Sequence, residues 1–178
     1  MILAKICILG ELSVGKTSLV RRFVDREFSD RYLTTVGVKI SRKLLRVAGG
    51  QGGEDERIQL ILWDLEGGIG FQEMSATYIR GARAAVVVGD VTRAGTIQAI
   101  GSHIDHFRSV NPAGLAIVAL NKSDLRKDEP DEQSLPWGNR DDVVATLHTS
   151  ALTGEGVDRL FGEIGACLLK GGGNGSDD

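Results

Sequence analysis

The glycine-rich stretch from Gly10 to Thr17 constrains this chain more than any other part of the sequence, because it reads G-E-L-S-V-G-K-T. It lies between a short apolar run and a helical pattern, and in that context the G-x-x-x-x-G-K-T spacing predicts a phosphate-binding loop. Backbone N–H groups and the N-terminus of the next helix would cradle an anion. The alternative, an incidental Gly-Lys-Thr before a helix, agrees less well with the flanking segments. The residues predicted to contact phosphate are Gly10, Ser13, Val14, Gly15, Lys16, Thr17 and Ser18.

Apolar strands that alternate with amphipathic helices predict an α/β fold with a mostly parallel sheet. We expect a six-stranded sheet with helices on both faces. A hairpin joins the second and third strands, so one edge strand should be antiparallel. Strands are predicted at 2–9, 37–47, 57–63, 84–88, 115–120 and 142–148, and helices at 16–26, 71–80, 96–110 and 157–169. Ligands bind at the carboxyl ends of strands in such sheets, so Gly10, Asp64 and Asn121 should share one rim.

Length, charge and cysteine usage exclude several classes of protein. The 178 residues suit one domain, which we place at 1–170, followed by a flexible acidic tail at 171–178. A net charge of −3 does not favour a nucleic-acid partner. Cys7 and Cys167 lack metal-ligand spacing and are expected to be thiols in a reducing compartment. We expect a cytoplasmic protein, because the sequence contains no apolar run of transmembrane length and the tail has no Cys for a lipid anchor.

A second polar fragment, Asp64-Leu65-Glu66-Gly67, follows the third strand and fits D-x-x-G. Asp64 is a predicted Mg²⁺ ligand, as is the Thr17 hydroxyl, because this hard cation prefers oxygen. The Gly67 N–H would approach the outermost phosphate, and Lys16 would reach the outer phosphates as a point charge. An isolated Asp at a strand end is more often a turn former, so the prediction depends on the phosphate loop.

A third fragment, Asn121-Lys122-Ser123-Asp124, fits N-K-x-D after the fifth strand. A carboxylate accepts two hydrogen bonds from guanine N1–H and N2–H₂, and adenine offers no such donor pair, so Asp124 would select guanine. The loop 149–151 follows the next strand, and its backbone N–H groups would donate to guanine O6. As isolated fragments, both are more typical of ordinary polar turns.

Together, the four motifs in this order and spacing resemble the Ras superfamily of small GTPases, most closely its Rab-like branch. The resemblance covers residues 2–169 and includes the segments 32–38, 63–64, 78–82 and 149–157. It implies a P-loop NTPase fold and a monomeric GTPase that switches between GTP and GDP with Mg²⁺. Effector and regulatory proteins would read the switch loops 29–37 and 64–78.

The resemblance also implies roles for individual residues. Thr35 is the switch threonine that closes on Mg²⁺, Phe28 faces the guanine ring, and Lys122 lies along the base. The implied catalytic residues are Lys16, Thr35 and Gly67. Glu66 is a further catalytic candidate that departs from the family pattern, because it replaces a small neutral residue beside the outermost phosphate and could either position water or repel phosphate. The implied metal ligands are Thr17, Thr35 and Asp64. The implied nucleotide contacts beyond the phosphate loop are Phe28, Thr35, Gly67, Asn121, Lys122, Asp124, Ser150, Ala151 and Leu152.

The chain departs from the family pattern at the residue that usually orients the attacking water. A Gln normally follows the D-x-x-G glycine, and here that position is Gly68. We therefore predict slow intrinsic hydrolysis, with Glu66, Gln72 or Arg31 as the candidates if it proves fast. Leu12 is bulky at a position that is often small in the family, and it could crowd an incoming arginine finger.

Two alternative functions follow from these departures and from the phosphate loop alone. One is an adaptor that stays loaded with GTP and hydrolyses it negligibly. The other, an ATP-dependent kinase, would need an Arg-rich lid that the sequence does not show.

The absent prenylated Cys favours a soluble, non-prenylated switch such as a prokaryotic member, and a truncated C-terminus is the alternative explanation. His103, His106 and His148 show no metal-ligand grouping and are predicted to be structural.

Overall fold

A six-stranded sheet forms the centre of the structure, a computed structural model that describes residues 1–29, 31, 37–48, 54–65, 67, 76–126 and 135–172. Its order is β2-β3-β1-β4-β5-β6. Strand β2 pairs with β3 in antiparallel register, and the other pairings are parallel. The predicted fold class and its antiparallel edge strand are confirmed. The strands are β1 (Ile2–Leu9), β2 (Val38–Val47), β3 (Glu56–Leu65), β4 (Ala84–Asp90), β5 (Leu115–Asn121) and β6 (Val143–His148).

The helices differ from the predicted ones in two places. The segment predicted as one helix over 96–110 forms two, α2 (Ala94–Gln98) and α3 (Ile100–Val110), which follow α1 (Lys16–Asp25). The Thr96 hydroxyl bonds to both backbone groups of Asp90, so α2 is tied to the end of β4. The last helix, α4 (Val157–Gly172), continues three residues past its predicted end at 169. A 3₁₀ turn lies at Ser123–Leu125, and residues 76–79 are also helical.

Two apolar clusters cover the two faces of the sheet. On one face, α1 and α4 pack together, and the rings of Phe23 and Phe161 stack with centroids 4.1 Å apart. On the other face, Ile104 and Phe107 of α3 pack beside Trp137, whose indole N–H donates to the Thr146 hydroxyl at 3.1 Å. Trp137 is therefore a packed anchor of the loop that precedes β6. Burial on both faces explains why β4 is apolar from Ala84 to Val88.

Several predictions fall on residues outside the described part of the chain. They include Thr35, Glu66, Gly68 and Gln72, the hairpin tip 49–53, the loop 127–134 and the tail from 173 onward. Within the described ranges, no helix combines the length and the apolar character that crossing a membrane requires.

Candidate functional site

A cavity of about 310 Å³ lies at the carboxyl ends of the strands, where the sequence places the ligand. Twelve predicted residues line it: Ser13, Gly15, Lys16, Thr17, Ser18, Phe28, Gly67, Asn121, Lys122, Asp124, Ala151 and Leu152. Gly10, Val14, Asp64 and Ser150 are not part of the lining. Arg21, Ser29, Leu65 and Leu125 line it although they were not predicted as site residues. Leu12 and Arg31, which the sequence analysis connected with hydrolysis, also line it.

Two glycines allow the phosphate loop to pass close to other strands. A Cβ on Gly10 would lie 2.3 Å from the Val88 carbonyl oxygen, and Gly10 has a φ of +145°. A Cβ on Gly15 would lie 2.3 Å from Asn121 Nδ2, at a φ of +101°. The space that Gly15 leaves is used, because Asn121 Nδ2 donates to the Val14 carbonyl at 3.0 Å. The loop is thus fixed to the end of β5 by the first residue of N-K-x-D.

Lys16 is held inside the phosphate loop. Its side chain is 6% exposed, and Nζ donates to the carbonyls of Gly10 at 2.9 Å and Glu11 at 2.7 Å. Burial lowers its pKa to about 8, although the Asp64 and Glu11 carboxylates oppose the shift. Lys16 therefore remains mostly protonated at neutral pH, and its cation faces the centre of the loop.

Thr17 and Asp64, the two described residues that were predicted as Mg²⁺ ligands, are in direct contact. Thr17 Oγ1 donates to Asp64 Oδ2 at 2.5 Å, and Asp64 is 1% exposed. Burial raises the pKa of Asp64, against hydrogen bonding from Thr17 and the charge of Lys16. Its second oxygen, Oδ1, is buried without a hydrogen-bond partner among the described residues.

A buried, unpartnered carboxylate oxygen is costly unless a cation or a water satisfies it. The donor set at Thr17 and Asp64 consists of oxygen atoms, which suits Mg²⁺. No group of three or more His, Cys, Asp or Glu side chains with metal-binding geometry occurs in the described ranges. A metal here would therefore take its other ligands from hydroxyl groups, phosphate or water.

The far end of the cavity contains the predicted base-recognition residues. Asp124 Oδ1 accepts a hydrogen bond from Ser150 Oγ at 2.7 Å, and Ser150 Oγ accepts one from the Thr153 N–H at 3.1 Å. The Ser150 N–H already donates a hydrogen bond to the Glu155 carbonyl within the protein. The next residue, Ala151, lines the cavity. The sequence analysis did not predict that the Ser150 hydroxyl orients Asp124.

Comparison with known proteins decides the family. The family model described as the Ras family matches residues 5–170. This chain belongs to the Ras family. It is 31% identical over 170 residues to the GTP-binding protein ypt4 of Schizosaccharomyces pombe, covering 94% of this chain and 72% of the relative. It is 28% identical over 170 residues to the Ras-related protein Rab-1C of Dictyostelium discoideum, covering 94% of this chain and 82% of the relative. The predicted Rab-like relationship is confirmed.

This Ras-family chain contains a buried carboxylate at the site that sequence reasoning missed. Asp90, at the end of β4, is 1% exposed, and its Oδ2 accepts a hydrogen bond from Lys122 Nζ at 2.6 Å. Lys122 Nζ also donates to the Ser13 carbonyl at 3.0 Å. The available signal was weak: an Asp two residues after a predicted buried strand, without a following motif.

A second missed contact joins the phosphate loop to α3. Glu11 Oε1 lies 3.0 Å from His103 Nε2. Burial lowers the pKa of His103, although the hydrogen bond and charge of Glu11 oppose the shift. His103 therefore links α3 to the loop 10–17 through Glu11.

Proposed function

We propose that this protein is a guanine-nucleotide switch that binds GTP and GDP with Mg²⁺ and hydrolyses GTP slowly. One observation carries the proposal: a single cavity has the Lys16 loop and the Thr17–Asp64 pair at one end and Asp124, oriented by Ser150, at the other. That arrangement suits a ligand with phosphates and a guanine base. A similar protein of 31% identity is named a GTP-binding protein.

At the phosphate end, the protein would act mainly through position and charge. Lys16 and the backbone N–H groups of 10–18 bind the phosphates, and the Gly67 N–H approaches the outermost one. Bound Mg²⁺ would neutralise phosphate charge that develops during hydrolysis. Thr17 and Asp64 would hold the ion, together with Thr35 by resemblance. Glu66 would lie beside the reacting phosphate, again by resemblance.

At the base end, Asp124 would accept hydrogen bonds from guanine N1–H and N2–H₂. Ser150 donates to the Oδ1 oxygen of Asp124, which restricts the carboxylate to one orientation. Phe28 and Lys122 line the same cavity and would flank the base, while the Ala151 N–H would donate to O6. Adenine would leave the Asp124 carboxylate without its donor pair.

Slow hydrolysis is proposed because Gly68 has no side chain to orient water. Leu12 lines the cavity with 45% of its surface exposed, so it also occupies space near the phosphates. These features equally favour the adaptor that remains loaded with GTP. Arg31 also lines the cavity. Among the described residues of the switch loop 29–37, it is the cation that could replace a missing catalytic group.

Single-turnover hydrolysis of γ-labelled GTP tests the rate. We expect the wild-type protein to be slow and Gly68→Gln to be about tenfold faster, since restoring a water-orienting group is worth roughly that or more. Wild-type turnover as fast as that of a Gln-bearing relative would refute the proposal and direct attention to Glu66, Gln72 and Arg31. Chromatography of the copurifying nucleotide separates the two functions: mostly GDP supports the switch, and GTP alone supports the adaptor.

The proposed partners are effector and regulatory proteins that contact the switch loops 29–37 and 64–78. We propose that the protein acts as a cytoplasmic monomer, with residues 1–170 as the GTPase domain and 171–178 as an acidic tail. Size-exclusion chromatography with light scattering tests the monomer, and a mass near 19.0 kDa is expected.

A further inference from the structure

An arginine that does not line the cavity holds the phosphate loop through one of its backbone carbonyls. We propose that Arg93 is a positioning residue for the phosphate loop and slows release of the bound nucleotide. Arg93 Nη2 donates to the Leu12 carbonyl at 2.6 Å, and its Nε lies 3.2 Å from Asp90 Oδ2. The inference rests on the proposed function, because it assigns a role at the same site.

Asp90 fixes the direction of the guanidinium. Its Oδ1 accepts hydrogen bonds from the Thr92 N–H at 2.9 Å and the Thr92 hydroxyl at 2.6 Å. Its Oδ2 accepts from Lys122 Nζ and Arg93 Nε. Burial opposes ionisation, but hydrogen bonds from Lys122 and Thr92 keep the pKa of Asp90 below its ordinary value. The carboxylate therefore remains charged at neutral pH and orients both cations.

Through these two cations, Asp90 controls consecutive carbonyl groups of the phosphate loop. Arg93 binds the carbonyl of Leu12, and Lys122 binds that of Ser13. Ser13 has a φ of +64°, a left-handed conformation that costs a residue other than glycine roughly 1 kcal/mol or more. External hydrogen bonds on both carbonyls offset that cost and keep the loop in its curved shape.

Leu12 and Ser13 both line the cavity, so their positions bear directly on phosphate contacts. Arg93 lies outside the cavity lining and precedes α2, with an extended backbone at φ −130° and ψ 96°. It thus acts on the ligand through the loop. Removing it should loosen the loop while all the proposed ligand contacts keep their side chains.

Arg108 provides a matched control elsewhere in the fold. Its Nε lies 3.3 Å from Asp142 Oδ2, and its Nη1 donates to the Gly114 carbonyl at 2.7 Å. Like Arg93, it therefore joins one carboxylate to one backbone carbonyl, with 32% of its side chain exposed against 44% for Arg93. Its partners do not line the cavity. Arg108→Ala consequently removes the same kind of interaction without touching the phosphate loop.

The test measures dissociation of a fluorescent GDP analogue, chased with excess GDP in the presence of Mg²⁺. Arg93→Ala should release it about 3- to 10-fold faster, because a partly exposed charged hydrogen bond to the loop is lost. Arg93→Lys should restore part of the difference, since it keeps a cationic donor beside Asp90. Arg108→Ala should stay within about twofold of the wild-type rate. Both alanine variants should lower the midpoint temperature of thermal unfolding by a similar amount.

Two results would overturn the inference: release from Arg93→Ala at the wild-type rate, or equal acceleration by Arg108→Ala. If Arg93→Ala does not fold, Arg93→Gln is measured in its place with the same criteria. A wild-type protein that binds no GDP would overturn the proposed function as well. Wild-type binding with an unchanged Arg93→Ala rate overturns the inference alone.

Discussion

Gly67→Ala probes the packing of the D-x-x-G segment against the phosphate loop. A Cβ added at Gly67 would lie 2.6 Å from Lys16 Nζ and 2.8 Å from the carbonyl carbon and oxygen of Glu11. The Lys16 contact involves the end of a flexible side chain, but the Glu11 contacts involve backbone. The phosphate loop or the Gly67 segment must therefore move by several tenths of an ångström.

Overpacking of this kind costs about 1–3 kcal/mol. If this cost falls entirely on the nucleotide-bound conformation of the loop, nucleotide affinity falls roughly 5- to 140-fold. Both nucleotides should bind more weakly, because Lys16 is displaced from its two carbonyls. GTP should be affected more than GDP, since Gly67 is the residue predicted to approach the outermost phosphate.

Calorimetric titration of the nucleotide-free protein with GDP and a non-hydrolysable GTP analogue gives the two affinities. Gly162→Ala is the matched control, because a Cβ there meets nothing within 4 Å and the residue lies inside α4. That variant should bind normally and gain about 0.5–1 kcal/mol in unfolding free energy. Affinities of Gly67→Ala within about twofold of wild type for both ligands would refute the packing argument.

Three further predictions concern other parts of the fold. Ser150→Ala removes the donor to Asp124, so calorimetric GDP affinity should fall about 2- to 10-fold. Burial lowers the pKa of His103 in the folded protein below 6.5. As the pH falls, His103 is therefore protonated in the unfolded chain before it is protonated in the folded protein. Unfolding free energy from urea titrations should therefore decline below about pH 6.5, and His103→Gln should flatten the decline. Burial raises the pKa of Cys7 to about 12, so a thiol reagent should modify the native protein at Cys167 and reach Cys7 only after unfolding.

Local spacing was sufficient to predict which residues meet at the centre of the candidate site. The run from β1 through Gly10 and Gly15 into α1 is continuous in sequence, so one motif defines a strand, a loop and a helix. Asp64 and Asn121 were placed on the same rim because each follows or ends a buried strand of a parallel sheet. The structure brings Asp64 to Thr17 and Asn121 to the Val14 carbonyl.

The contacts that were missed are tertiary ones between residues without a common motif. Arg93 contacts the phosphate loop directly, and Asp90 is linked to it through Arg93 and Lys122, over a sequence distance that no periodic pattern reveals. Lys122 was expected along the base, yet its ammonium group also joins Asp90 to Ser13. A long side chain can serve two partners, and only the folded arrangement shows the second.

Two helix boundaries also could not be predicted from the sequence. Helical periodicity runs through Ala99, whose backbone angles of −74° and −14° are close to helical, so 96–110 reads as one helix. At the other end, the last helix was predicted to end at Leu169, where its apolar pattern stops. The helix continues because Leu168 and Leu169 are buried and hold its final turns against the core.

The most direct measurement of the central claim is base selectivity. Nucleotide-free protein is titrated calorimetrically with GDP and with ADP, both in the presence of Mg²⁺. Because ADP leaves the Asp124 carboxylate without its two donors, GDP should bind at least about 100-fold more tightly. ADP affinity within about tenfold of that for GDP, or the absence of binding by either nucleotide, would contradict the account.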